Sequence, residues 1–197
     1  MLTSMPKSSN RKSSIVQSSM KIAVYCSAKD SIPEEYLALG DALGKWLGEN
    51  GHTLLYGGAT GGLMSRVSDA AKAAGATVIG VIPPRIIAAG RLAKNCDYLI
   101  QVANMAERKQ IIRSNADVIV CLPGSYGTLD EMMDATSSGI VGEQHKPLYV
   151  LNYKGFYEPL KKQIEHMKAL CFIPSPEHYC PTFVDTLDEL YKEINDK

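Results

Sequence analysis

A chain of 197 residues with 45% hydrophobic content is long enough to bury a substantial core as one compact domain. Its 21 basic residues balance 21 acidic ones, which argues against a global field drawing the chain to nucleic acid or to a membrane surface. Five cysteines without a Cys-x-x-Cys pair argue against a disulfide framework and a zinc ribbon, and they fit reduced thiols in the cytoplasm.

Residues 1–20 stand apart from the rest, being rich in serine, with Lys7, Arg11 and Lys12 and no acidic residue. They read as a disordered extension or leader, no apolar core of signal-peptide length follows the basic residues, and Met20 is a candidate natural start. No later stretch approaches the ~18 consecutive apolar residues of a membrane span. Residues 21–197 read as a single domain in which strand and helix patterns alternate. Ile22 to Cys26 is the first strand, followed by a helix from Pro33 to Asn50 with Tyr36, Leu39, Leu43 and Leu47 at helical spacing and Gly51 closing it. Thr53 to Tyr56 is the second strand, and a glycine loop then leads into a helix from Leu63 to Ala74. Val78 to Ile82 forms the third strand, ended by Pro83-Pro84, and Asp97 to Val102 a short fourth one. A helical run starts near Met105 and leads through Asn115 into the strand Val118 to Leu122, and Leu148 to Leu151 resumes the sheet. Phe156 to Leu170 and Thr186 to Ile194 are outer helices, the second opening with the capping box Thr186-x-x-Glu189. The expected fold class is α/β, a Rossmann-like doubly wound, mostly parallel sheet with helices on both faces. Right-handed crossovers then put the glycine loops at its carboxyl edge.

The segment Pro123-Gly124-Ser125-Tyr126-Gly127-Thr128-Leu129-Asp130-Glu131 follows an apolar strand and opens into a helix. Proline ends the strand, the glycines permit a tight turn and close approach of a ligand, and Thr128 is placed to cap the helix, so free amides and the positive dipole end converge on one spot. A phosphate fits there without a lysine or arginine. Glu131 has two readings. Thr128-x-x-Glu131 is a capping box, and Glu131 is also a carboxylate beside a site that attracts phosphate. The other loop, Gly57-Gly58-Ala59-Thr60-Gly61-Gly62, lacks the dinucleotide fingerprint, and Leu63-Met64 stands where a Walker loop needs Lys and Ser or Thr. It reads either as a ligand loop or as a helix-packing turn. No lysine stands in a setting that marks a pyridoxal Schiff base. His178 and Cys180, near Cys171, match no standard metal spacing.

Taken together, Glu107-Arg108-Lys109, the segment PGSYGTLDE and Tyr56-Gly57-Gly58-Ala59-Thr60-Gly61-Gly62-Leu63-Met64 resemble the LOG family, the cytokinin riboside 5′-monophosphate phosphoribohydrolases, whose hallmark is P-G-G-x-G-T-x-x-E and which often bear the label lysine decarboxylase. The resemblance implies hydrolysis of the N-glycosidic bond of a nucleoside 5′-monophosphate, either a cytokinin nucleotide or one like adenosine 5′-monophosphate, to a free base and ribose 5-phosphate. It places the catalytic roles on Arg108 and Glu131 and substrate binding on Gly57, Gly58, Gly61, Lys109, Pro123, Gly124, Ser125, Tyr126, Gly127 and Thr128. It implies no metal or organic cofactor, and a cytoplasmic homodimer. Met132, Met133, Ile140 and Val141 read as core or as subunit interface. Ser125, Ala59, Asn104, Ala106 and Cys26-Ser27-Ala28 depart from the family pattern. The competing reading is a noncatalytic nucleotide or cofactor carrier of the same fold. A DNA-processing protein on a related fold is disfavoured by the balanced charge.

Overall fold

A computed structural model describes residues 18–173 and 179–196. Most of the N-terminal extension, and His178 with its metal reading, lie outside the described residues. Seven strands form one parallel sheet in the order β4-β3-β2-β1-β5-β6-β7. They are β1 (Lys21–Tyr25), β2 (Thr53–Tyr56), β3 (Thr77–Ile82), β4 (Tyr98–Gln101), β5 (Val118–Cys121), β6 (Leu148–Leu151) and β7 (Thr182–Val184). The helices are α1 (Glu34–Glu49), α2 (Gly62–Ala73), α3 (Pro84–Ala88), α4 (Met105–Asn115), α5 (Tyr126–Ile140), α6 (Glu158–Ala169) and α7 (Leu187–Asn195). None of the described helices is long and apolar enough to cross a membrane.

The central strands are apolar on both faces because each face is covered. Ile22 and Val24 of β1 pack with α1, α2 and α7, while Ala23 and Tyr25 face the layer built by α4 and α5. The chain runs outward from β1 through β2 and β3 to β4, then returns to place β5 on the other side of β1. This reversal opens a crevice between the loops after β1 and β5, where ligands bind in open α/β sheets.

The doubly wound architecture is the one the sequence predicts, and every expected strand is present. Three short elements, α3, β7 and a 3-10 turn at Tyr153–Gly155, are additional; with five, three and three residues they are too short to carry a period. The expected methionine stripe divides. Met132 is fully buried, whereas Met133 is partly exposed and Val141 is 71% exposed.

Gly40, Gly44 and Gly48 recur every fourth residue along α1 and so share one face of it. A Cβ on Gly44 would lie 2.4 Å from the Val67 carbonyl oxygen and 2.8 Å from the Ala70 Cβ, so α2 packs directly on the α1 backbone. Gly44→Val is expected to destabilise the fold by about 2 kcal/mol through overpacking. Urea unfolding checks this, and an unchanged midpoint would contradict the packing described.

Candidate active site

The loop after β5 is fixed before the site begins. The buried Tyr157 hydroxyl donates to the Leu122 carbonyl at 2.9 Å. Ser27 donates its amide to the Pro123 carbonyl at 3.3 Å, which ties the loop after β1 to the loop after β5. Gly124 has no room for a side chain, because a Cβ there would lie 2.0 Å from the Thr128 Oγ1.

Helix α5 starts at Tyr126, and its cap residue is Ser125, whose side chain makes no capping bond. Thr128 is therefore the third helical residue, and the capping box expected at Thr128 and Glu131 does not form. Ser125 is already extended, so the helix begins a turn too early for it. Box-like reciprocal caps, in which the glutamate takes the amide just before the cap residue, occur elsewhere. Asn104 accepts from the Glu107 amide while Glu107 takes the Ala103 amide at 2.6 Å, and Thr186 with Glu189 repeats the arrangement on α7. The amides of Tyr126, Gly127 and Thr128 have no intrahelical acceptor, and among the described residues no side chain covers them as a cap. The positive end of α5 stays open to an anion.

Glu131 instead meets Arg108. The Arg108 Nη1 lies 3.2 Å from the Glu131 Oε1, and both side chains are only 4% exposed. Arg108 also donates from Nε to the Val81 carbonyl at 3.0 Å and from Nη2 to the Gly57 carbonyl at 2.9 Å. One guanidinium thus joins the ends of β2 and β3 to α5. Gly57 is a glycine for this reason, since a Cβ would sit 1.6 Å from the Arg108 Nη2. Burial pushes the Glu131 carboxyl up to about 7, with the Arg108 charge pulling the other way. The Cys26 and Cys121 thiols are pushed up by burial and by the same carboxylate, so both stay protonated.

A cleft of about 210 Å³ brings Arg108 and Glu131 together with Ser125, Gly127 and Thr128. Pro123 and Gly124 border an adjoining apolar cleft of about 230 Å³ with Ile32, Tyr36 and Phe156. Tyr126 is 88% exposed and lines neither. Lys109, expected at the substrate, points away: its ammonium pairs with Asp130 at 2.8 Å and Asp134 at 3.5 Å, clamping α4 to α5. In the first glycine loop the amides of Gly61 and Gly62 go to the Ser65 Oγ and the Asp30 Oδ1, each at 2.7 Å, and the Gly58 carbonyl accepts from Ala93. Gly58 and Gly61 take left-handed conformations that other residues rarely adopt, so here the loop is chiefly a turn that supports Arg108 and α2. Tyr157 and Arg91, which also lines the cleft, went unnoticed in the sequence. Arg91 lies in an irregular stretch with no motif or period to mark it.

These features define an α/β protein with a buried carboxylate–guanidinium pair beside an uncapped helix start. The family described as "Possible lysine decarboxylase" matches residues 64–194. Cytokinin riboside 5′-monophosphate phosphoribohydrolases from Mycobacterium marinum and Arabidopsis thaliana are each 33% identical to the chain, covering 85% and 92% of it and 89% and 83% of their own lengths. One from Mycobacterium tuberculosis is 36% identical over 71% of the chain and 74% of its own length. The chain belongs to the LOG family. Among solved structures, the molybdenum cofactor binding protein of Rippkaea orientalis and the molybdenum cofactor carrier protein of Chlamydomonas reinhardtii share the fold. Each has a TM-score of 0.70, with 21% and 22% identity, over 91% of the chain and 97% and 98% of theirs.

The raised Glu131 carboxyl fixes a sign. The folded protein holds a proton there between its ordinary value of 4.5 and about 7, where the unfolded chain has released it. Stability therefore falls as pH rises through that window, and Glu131→Gln is expected to flatten the dependence. Removing the positive charge in Arg108→Gln is expected to move the carboxyl further up. Carbon-13 NMR titration of Glu131 reads both, and an ordinary value near 4.5 in wild type would contradict the burial argument.

Proposed function

We propose that this protein hydrolyses the N-glycosidic bond of a nucleoside 5′-monophosphate, releasing the free base and ribose 5-phosphate. The observation that carries the reading is the buried pair of Arg108 and Glu131 facing the open start of α5, in a chain of this family. The phosphate rests on the amides of Tyr126, Gly127 and Thr128, which leaves the ribose near Glu131. As the C1′–N bond breaks, its electron pair leaves with the base, which takes up a proton, and the sugar acquires oxocarbenium character. Ionised Glu131 stabilises that charge and takes a proton from the water whose oxygen bonds to C1′, then releases it to solvent, which balances the proton the base takes up from solvent. A carboxyl balanced near 7 suits proton transfer at neutral pH. Arg108 keeps its charge throughout and, with three partners already engaged, orients Glu131 rather than gripping phosphate. The reading calls on no metal or organic cofactor.

The names of the relatives support a phosphoribohydrolase, and cytokinin nucleotides and adenosine 5′-monophosphate both belong to the proposed substrate class. A homodimer is part of the same proposal, and Tyr98 and Val141 are among the large apolar side chains a single chain leaves exposed. The carrier reading gains little from the departures in the family motifs. Ala106 is exposed on α4, and Ala59 is buried in a bridge to Leu92. Ser125 lines the cleft without capping the helix amides.

The test is ribose 5-phosphate release from a panel of purine and pyrimidine nucleoside 5′-monophosphates, including an isopentenyl adenine nucleotide. Glu131→Gln is expected to lower the rate by roughly 10²–10⁴-fold, while Glu189→Gln, which changes only the box on α7, keeps it. No release from any nucleotide by folded wild-type protein would sink the enzyme reading and favour the carrier.

A further inference from the structure

The cleft holds three cationic side chains, Lys29, Arg91 and Arg108. With Glu131 ionised, the Arg108 charge is matched within the cleft itself, so a phosphate dianion needs a cation from elsewhere. Arg91 is built for that. Its Nη2 donates to the Ala28 carbonyl at 2.8 Å and to the Thr60 carbonyl at 2.7 Å, bridging the loops that follow β1 and β2. These are neutral acceptors, and among the described residues Arg91 forms no ion pair. Its Nε and Nη1 hydrogens stay available on a guanidinium whose position is already fixed, so little further freedom is lost when it grips a ligand.

Arg91 stands in the same 210 Å³ space as Ser125, Gly127 and Thr128. It also lines a second cleft of about 440 Å³, with Lys29, Asp30 and Ser65, beside the start of α2. That helix start is closed, because Asp30 already takes the Gly62 amide and Ser65 the Gly61 amide. The anion is therefore directed toward the α5 side of Arg91, where amides are free.

We propose that Arg91 is a phosphate-binding residue of this site, gripping the phosphate dianion of the substrate opposite the open start of α5. The identity of that substrate rests on the nucleoside 5′-monophosphate reading; the capture of a phosphate dianion does not. Arg91 then serves affinity, with Lys29 adding charge at the rim, while Arg108 serves the reacting carboxylate. The two arginines of one cleft differ because one already faces a carboxylate and the other faces only carbonyls.

Calorimetric binding of ribose 5-phosphate and of inorganic phosphate, each at low and high salt, tests the assignment. In wild type both bind and weaken with salt. Arg91→Gln is expected to weaken both by about 10- to 100-fold, the loss of one charge-assisted contact, and to make the salt dependence shallower. Arg91→Lys falls between, and Lys45→Gln, an equal change of charge on the exposed face of α1, binds as wild type does. Unchanged affinity in Arg91→Gln overturns the proposal. So does weaker binding with an unchanged salt slope, because Arg91 would then act only by tethering the two loops. Wild-type protein that binds inorganic phosphate through Arg91 but not ribose 5-phosphate would retain the anion site and remove the nucleotide reading. Failure to bind either overturns both.

Discussion

A guanidinium and a carboxylate buried side by side form the constraint on which the rest of this structure depends. Taking two charges out of water costs several kcal/mol each, and their attraction offsets this only when the remaining hydrogen-bonding groups are also met. Arg108 meets its share with the carbonyls of Val81 and Gly57, so the ends of two neighbouring strands must stop at fixed places around it. Gly57 must lack a side chain, α4 must present Arg108 inward, and α5 must start early enough to bring Glu131 alongside. Even so, burial keeps the carboxyl near 7 instead of in the usual acidic range. A group that changes protonation at neutral pH, in a cleft at the carboxyl edge of a doubly wound sheet, is costly to the fold and useful to chemistry.

The helix starts around the cleft divide into closed and open ones. At the start of α2 Ser65 takes the Gly61 amide and Asp30 the Gly62 amide, and on α4 Asn104 caps the Glu107 amide. Helix α5 has no such side chain among the described residues, although the loop before it is held firmly by Tyr157 and by the Ser27 amide. A rigid loop that leads to an uncapped helix is a prepared anion site, because the missing cap is supplied by the ligand. The two glycine motifs thus do different work: one makes room for Arg108 and lets α2 begin, and the other exposes backbone to a phosphate.

The strands were legible in the sequence because they are short apolar runs between turn signals, and β2 and β6 have the predicted bounds. The pairing of Arg108 with Glu131 was not, since the two residues lie far apart in the chain and only the family resemblance joined them. Thr128 was misplaced because threonine followed three residues later by glutamate has the same spelling in a capping box and inside a helix. Only the extended backbone at Ser125 separates the cases. Arg108 and Lys109 are neighbours in sequence but about 100° apart around a helix, so one enters the core and the other reaches Asp130 across the surface. Tyr157 and Arg91 act through backbone carbonyls contributed by distant loops, and no local pattern announces such contacts.

The most direct test of this account is a double-mutant cycle on ribose 5-phosphate release, with Arg108→Gln, Glu131→Gln and the double variant compared under conditions where all three are folded. If the two side chains act as one unit, the double variant is no slower than the slower single variant, because either substitution already disables the pair. If the two losses multiply instead, each residue contributes on its own, and the claim that Arg108 acts through Glu131 is wrong.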